Sequence, residues 1–221
     1  MKKLLLLLSI GLFVATSMFA DRIQERRILT STEILKDVFK APKTGITKDL
    51  IKNAKAIAVF PNTLRSAFFL GGRYGDGVLS IKDENNNWSE PIFIHMKGLS
   101  FGMQFGVQSS DIVMIFKSNR SLDDLIKGKT TLGFDADVVA FAKGAKIESN
   151  TDEKLSADIQ AFGKSSGLFV GVSVSGTSIY ISDNDNFDYY GKLVYIDDIL
   201  SRDIIKEKAS AKKFKDVLYS F

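Results

Sequence analysis

Few residues of this sequence can carry chemistry. His95 is the only histidine, and cysteine is absent. A general base would rest on that one imidazole, set in the apolar run Ile92-Phe-Ile-His-Met96, which reads as a strand histidine satisfied by its neighbours. One histidine without any thiolate does not make a zinc or other transition-metal ligand set, so no metal or cofactor is expected. Ser109, Ser165 and Ser166 have no assigned base, and no Gly-x-Ser-x-Gly elbow occurs. No spacing singles out a pair of carboxylates. Without cysteine, disulfides and thiol nucleophiles are excluded.

Two polar segments invite a binding reading. Gly71-Gly-Arg-Tyr-Gly-Asp-Gly77 combines glycines, which can expose backbone N–H groups, with the charged fork of Arg73. That combination suits a phosphate, but neither a Walker A loop nor a dinucleotide fingerprint is spelled. A glycine-rich strand connection with a structural arginine is the competing reading. Asp183-Asn-Asp-Asn-Phe-Asp188 alternates oxygen ligands as calcium loops do. It lacks their glycine at the sixth position and their acid at the twelfth, and reads as a polar turn.

The elements that would hold these residues begin with a targeting pattern. Lys2 and Lys3 precede an apolar run from Leu4 to Val14, and Ala15 to Ala20 ends in a small residue before Asp21. This charge, apolar and small-residue order predicts a cleavable export signal over 1–20. The apolar run is shorter than the roughly 20 residues needed to span a bilayer. Removing it from 221 residues leaves 201, enough for one domain with a sizeable core over 21–221. That remainder carries 28 basic and 26 acidic side chains, no excess of the kind that nucleic acid demands.

Arg22 to Lys40 reads as an amphipathic helix. Ile23, Ile28, Ile34, Leu35, Val38 and Phe39 share a broad face, with Arg22, Arg26, Lys36 and Lys40 opposite among Glu25, Glu33 and Asp37. Such a helix can pack on a sheet or lie on a lipid surface. A second short helix is expected over Thr47 to Lys55, capped by Thr47. The residues 21–55 thus form an N-terminal helical part.

A β-rich core is expected over 56–191. Ala56 to Phe60 and Ala67 to Leu70 lead into the glycine segment, and Gly77 to Lys82 pairs with Trp88 to Met96 as a hairpin. Leu99 to Gln108 and Asp111 to Lys117 read as two more strands. Leu168 to Val174 and Thr177 to Ser182 read as a hairpin around Ser175-Gly176. Ser121 starts a short helix, and Ile196 to Tyr219, within the part 192–221, reads as a closing helix. Gly98, Gly102, Gly106, Gly167, Gly171 and Gly176 recur within strands, as sharp bends or close backbone approach require. The fold class is α+β: helices against a strongly curved, mostly antiparallel sheet, open or partly closed as a barrel.

Seven stretches resemble the SYLF domain family when taken in order. They are Ala54-Lys-Ala-Ile-Ala-Val-Phe-Pro61, Gly71-Gly-Arg-Tyr-Gly-Asp-Gly-Val78, Trp88-Ser-x-Pro91 and Gly102-Met-Gln-Phe-Gly-Val-Gln-Ser-Ser-Asp111. Leu132-Gly-Phe-Asp-Ala-Asp137, Gly167-Leu-Phe-Val-Gly-Val-Ser173 and Tyr189-Tyr-Gly191 complete the set. The resemblance implies a lipid-associated, non-enzymatic domain, with actin binding in some eukaryotic relatives and membrane contact through an N-terminal amphipathic helix. For an exported bacterial chain, in the periplasm and peripheral to a membrane, an anionic phospholipid is the portable inference. Arg22, Arg26, Arg27, Lys36 and Lys40 would then meet phosphates while Ile23, Ile34, Leu35 and Val38 insert. Arg65 and Arg73 would be secondary contacts. An envelope protein partner or scaffold role is the alternative, and a hydrolase built on His95 or a carboxylate pair ranks last.

Overall fold

A computed structural model describes residues 2–40, 46–68, 70–101, 106–133, 138–141, 157–165, 168–170, 174–201 and 206–221, with the backbone path alone for 2–20. Six helices are described: α1 (Lys2–Lys40), α2 (Lys48–Lys52), α3 (Asn119–Ile126), α4 (Asp183–Tyr190), α5 (Ile196–Ser201) and α6 (Ala209–Tyr219). The strands are β1 (Ala56–Phe68), β2 (Leu70–Ile81), β3 (Ile92–Phe101), β4 (Gly106–Phe116), β5 (Lys129–Thr131), β6 (Val138–Phe141), β7 (Ile159–Ser165), β8 (Leu168–Val170) and β9 (Thr177–Ile181).

The strands form one curled sheet in the order β5-β9-β3-β2-β1-β4-β7-β6, with β8 on β7. Among the described residues only the β6–β7 ladder is parallel. Among the described residues no ladder joins β5 to β6, so the described sheet stays open. The expected α+β class with a curved antiparallel sheet is therefore what the chain adopts.

Alternation along the strands gives the sheet two buried faces. Ile57, Val59, Val78, Phe93, Val113, Ile115 and Phe162 meet α1, α2, α4 and α6 through Ile28, Leu35, Val38, Ile51, Tyr189 and Phe214. Ala58, Phe60, Leu79, Ile92, Ile94, Met96, Ile112 and Met114 meet α3 and α5 through Leu122, Leu125 and Ile199. A sheet covered on both sides must be apolar on both, which is why Ala56–Phe60 and Ile112–Phe116 are continuous apolar runs without alternation.

The curl has local causes. Register slips between Val59 and Leu64, where Pro61 withholds a backbone donor and Asn62 takes a positive φ of 49°. The Asn62 N–H donates to Asp111 at 3.0 Å, which pins the bulge to β4. Opposite the bulge, β2 carries glycine: a Cβ at Gly77 would lie 2.5 Å from the Phe60 ring, and one at Gly75 would lie 2.8 Å from the Thr63 hydroxyl.

The fold departs from the sequence expectations at several elements. Gly71–Gly77 is not a loop but part of β2, paired with β3 along its whole length and with β1 as far as Tyr74, where the β1 bulge interrupts the ladder. An extended strand paired in this way does not form a phosphate cradle. Leu99 continues β3 instead of opening a new strand. The proposed hairpin around Ser175-Gly176 does not form, because β8 pairs with β7 whereas β9 pairs with β3 and β5. Asp183–Tyr190 is a helix, not a turn. Ser182 caps it by accepting from the Asp185 N–H, and Gly191 at φ 68° ends it. The closing helix is two, α5 and α6. The second helix is shorter than expected, but Thr47 caps it as anticipated. Of the family stretches, residues 102–105, 134–137 and 171–173 lie outside the described residues, as do Gly102, Gly167 and Gly171.

Candidate binding surfaces

α1 is held by its apolar side. Ile28 and Leu35 are fully buried, and Ile34 and Val38 nearly so. Burying each contributes about 1.5–3 kcal/mol. Three of the four residues expected to enter lipid, Ile34, Leu35 and Val38, are thus occupied by the core. Only Ile23 stays exposed, at 60%. The physical reason is that the uncovered sheet face offers α1 a larger apolar partner than one helix can find elsewhere.

A charged cluster locks the same helix. Arg27 pairs with Asp185 at 2.5 Å and stands 3.7 Å from Asp76. Gln24 donates to the other Asp185 oxygen at 3.1 Å. His95 Nδ1 meets Asp76 at 2.5 Å, and its Nε2 lies 3.7 Å from Asp185. Tyr74 donates to Asp76 at 2.6 Å. Burial pushes the Asp76 carboxyl up, but the bonds from His95 and Tyr74 and the Arg27 charge together hold it below the usual carboxylate range. His95 sits between the rings of Tyr74 and Tyr180. Its contacts tie β3 to β2, β9 and α4, which is the satisfied strand histidine the sequence suggested.

Arg27 is therefore an inward-facing structural cation, not a free surface charge. The outward side of α1 is different. Arg22, Arg26 and Lys40 are exposed, and among the described residues none has a carboxylate partner. Lys36 is neutralised by Glu33 at 2.8 Å, and Asp37 by Lys164 at 2.6 Å. Lys36 and Lys40 also line a 410 Å³ groove between α1 and α6, together with Lys213, Asp216, Val217, Ser220 and Phe221. The rings of Phe39 and Phe221 meet at a 44° tilt with centroids 3.8 Å apart beside it. Lys213 was not among the residues the sequence nominated, because α6 carries several lysines and nothing in spacing says which one meets α1.

Arg65 and Arg73 stand apart from these. Strand alternation puts Arg73, Gly75, Gly77 and Leu79 on one side of β2, the side that faces α3 and α5. Arg65 is directly opposite Arg73 on β1. The seven nominated cations therefore divide between the two faces of the sheet, and no single surface gathers them.

The sequence pattern of the Ysc84 family, described as a Las17-binding protein actin regulator, matches residues 97–221. The chain belongs to this family. Bovine (Bos taurus) SH3 domain-containing YSC84-like protein 1 is 30% identical over 181 residues, covering 81% of this chain and 52% of the relative. The Xenopus laevis protein of the same name is 29% identical over 185 residues, covering 81% and 54%. LAS seventeen-binding protein 3 of Saccharomyces cerevisiae is 30% identical over 181 residues, covering 80% and 39%. The chain spans about half the length of the animal relatives and less of the yeast one. The family assignment agrees with the SYLF resemblance, and binding is named in the family description and in the name of the yeast relative.

Proposed function

We propose that this protein is an exported, non-enzymatic binding protein that docks peripherally on an anionic phospholipid surface in the bacterial envelope. The carrying observation is that α1 spends its apolar side on the sheet yet keeps Arg22, Arg26 and Lys40 exposed and without a carboxylate partner among the described residues, with Lys213 added from α6. Docking is then electrostatic, by charges that stay in water, and not by insertion of the helix. Each lysine or arginine near an anionic surface contributes about 1 kcal/mol, so four give weak, salt-sensitive attachment. The export pattern over 1–20 supports a periplasmic setting. N-terminal sequencing of the protein from an envelope fraction should find Asp21 first.

The test is co-sedimentation of the purified protein with phosphatidylglycerol or phosphatidylcholine vesicles at low and high salt. Binding to phosphatidylglycerol alone, lost at high salt and in Arg22→Glu/Arg26→Glu/Lys40→Glu, is the expected result. Binding that survives the triple reversal overturns α1 as the docking element.

One observation favours a protein partner as a second reading. Beyond α1 the same sheet face exposes Leu64, Tyr74 and Leu99, with Lys97 over the Tyr74 ring at 5.9 Å. An apolar patch holding a cation suits a protein with an acidic rim, and the family description and the yeast relative's name both refer to Las17 binding. A near-stoichiometric envelope protein recovered with the wild type, and lost with Tyr74→Glu, would favour this reading over lipid.

A further inference from the structure

The far end of the sheet, on the face away from α1, holds two arginines that have no counter-charge among the described residues. Arg65 and Arg73 are direct cross-strand partners on β1 and β2. Like charges so placed repel each other. Arg73 is 93% buried, being only 7% exposed. Among the described residues its one side-chain hydrogen bond goes from Nη1 to the Thr177 hydroxyl at 3.2 Å, and neither arginine has a carboxylate partner. The Nε of Arg65 is buried with no acceptor. Burial and the Arg65 charge together bring the Arg73 guanidinium down to about 10.

The registers extend this pair into a row across five strands: Thr177, Gly98, Arg73, Arg65 and Gln108. Gly98 is needed there, because a Cβ would lie 2.8 Å from the Thr177 hydroxyl and 2.9 Å from its Cα. That close approach lets Thr177 reach Arg73. The row grades from buried Thr177 and Arg73, through half-buried Arg65, to exposed Gln108, so its β4 end opens to solvent. It carries N–H and O–H donors and two fixed positive charges, and no acid.

We infer that Arg65 and Arg73 form an oxyanion site, with Thr177 and Gln108 as flanking donors, that takes a phosphate group. Paired guanidinium forks match the oxygen geometry of phosphate, and a bound dianion would relieve the repulsion the two strands now carry. Perturbed, desolvated cations of this kind gather at binding sites. The site is independent of the surface-docking reading, since α1 lies on the opposite face. The phosphate can be free or the headgroup of a lipid drawn from a bilayer.

The test is the thermal midpoint of the full chain in chloride and in inorganic phosphate at matched ionic strength and pH, repeated with monomeric short-chain phosphatidate. A saturable rise is expected with at least one probe. Equal apparent affinity for both identifies free phosphate as sufficient, whereas tighter phosphatidate binding identifies a lipid headgroup. Arg65→Met and Arg73→Met should each weaken binding by about tenfold or more, and Arg73→Lys should retain part of it. If Arg73→Met does not fold, Arg65→Met at the solvent end carries the comparison. Absence of a rise with both probes, or an unchanged rise in Arg65→Met, overturns the site. Arg22→Glu/Arg26→Glu/Lys40→Glu should leave this readout intact, so failure here is separable from failure of surface docking.

Discussion

His95 and Asp76 meet at 2.5 Å across neighbouring strands β3 and β2, and the same Asp76 faces Arg27 of α1. One carboxylate therefore couples the sheet to the helix. Its depressed pKa fixes the direction of the pH effect. A carboxyl held lower in the folded state than in the unfolded chain adds stability above its unfolded value, near 3.9. That stability is lost as pH falls through the folded value. Asp76→Asn should cost about 1.5–3 kcal/mol at neutral pH, the range for hydrogen bonds to a charged group. The gap between variant and wild type should close below about pH 4. Urea unfolding at both pH values checks this, and a gap unchanged in acid would remove Asp76 as a charged coupler.

Two glycines of β2 should respond oppositely to the same added methyl. A Cβ on Gly77 meets the Phe60 ring at 2.5 Å and the Val59 carbonyl at 2.8 Å, and the second of these is backbone that cannot swing aside. Overpacking of this kind costs about 1–3 kcal/mol. At Gly72 nothing lies within 4 Å of the added atom. Gly77→Ala should lower the unfolding midpoint clearly, and Gly72→Ala should leave it unchanged or raise it slightly by stiffening the unfolded chain. Equal effects would mean that the bulge at Phe60 yields freely.

The packing of α1 is tested by a pair of truncations on one helix. Leu35 is fully buried and Ile23 is 60% exposed. Leu35→Ala should cost about 2–5 kcal/mol by lost burial and cavity formation. Ile23→Ala should stay within about 0.5 kcal/mol. A helix that left the sheet readily to enter lipid would show little difference between them in denaturant titrations.

How much of this was legible before folding depends on range. The apolar spacing of Ile28, Ile34, Leu35 and Val38 announces α1, because a helix writes its buried side locally. What it packs against is not local. The same stripe suits lipid or sheet, and only the apolar runs Ala56–Phe60 and Ile112–Phe116, buried on both faces, decide for the sheet. Gly71–Gly77 left two readings open because glycine and arginine look the same in a phosphate loop and in a bent strand, and the strand reading is the one the structure takes. The difference lies in ladder bonds to β1 and β3, made by residues far along the chain. Asp183–Asp188 misled because its helix owes its start to the Ser182 cap and its end to Gly191, while the residues between are poor helix formers. The Arg65–Arg73 opposition was invisible, since the bulge at Pro61 sets the register that brings them face to face.

A last pair of variants separates a buried charge from its partner. Lys215 of α6 contacts both Glu90, which is 4% exposed, and Glu207, which is 42% exposed on its side chain. Burial alone would lower the Lys215 ammonium, but bonds to the two glutamates raise it above the ordinary lysine range. A cation so raised adds stability that is fully present at neutral pH and is lost only as pH climbs through its folded value. Removing it strands Glu90, whose side chain has little access to water. Lys215→Met should therefore cost about 3–5 kcal/mol, the penalty for an uncompensated buried charge. Replacing both members as Lys215→Met/Glu90→Met should recover most of that loss, since two apolar side chains can fill the space without a charge to solvate. Guanidinium unfolding of the single and double variants makes the comparison. A double variant no more stable than the single one would show that the loss comes from packing around the lysine stem and not from the stranded carboxylate.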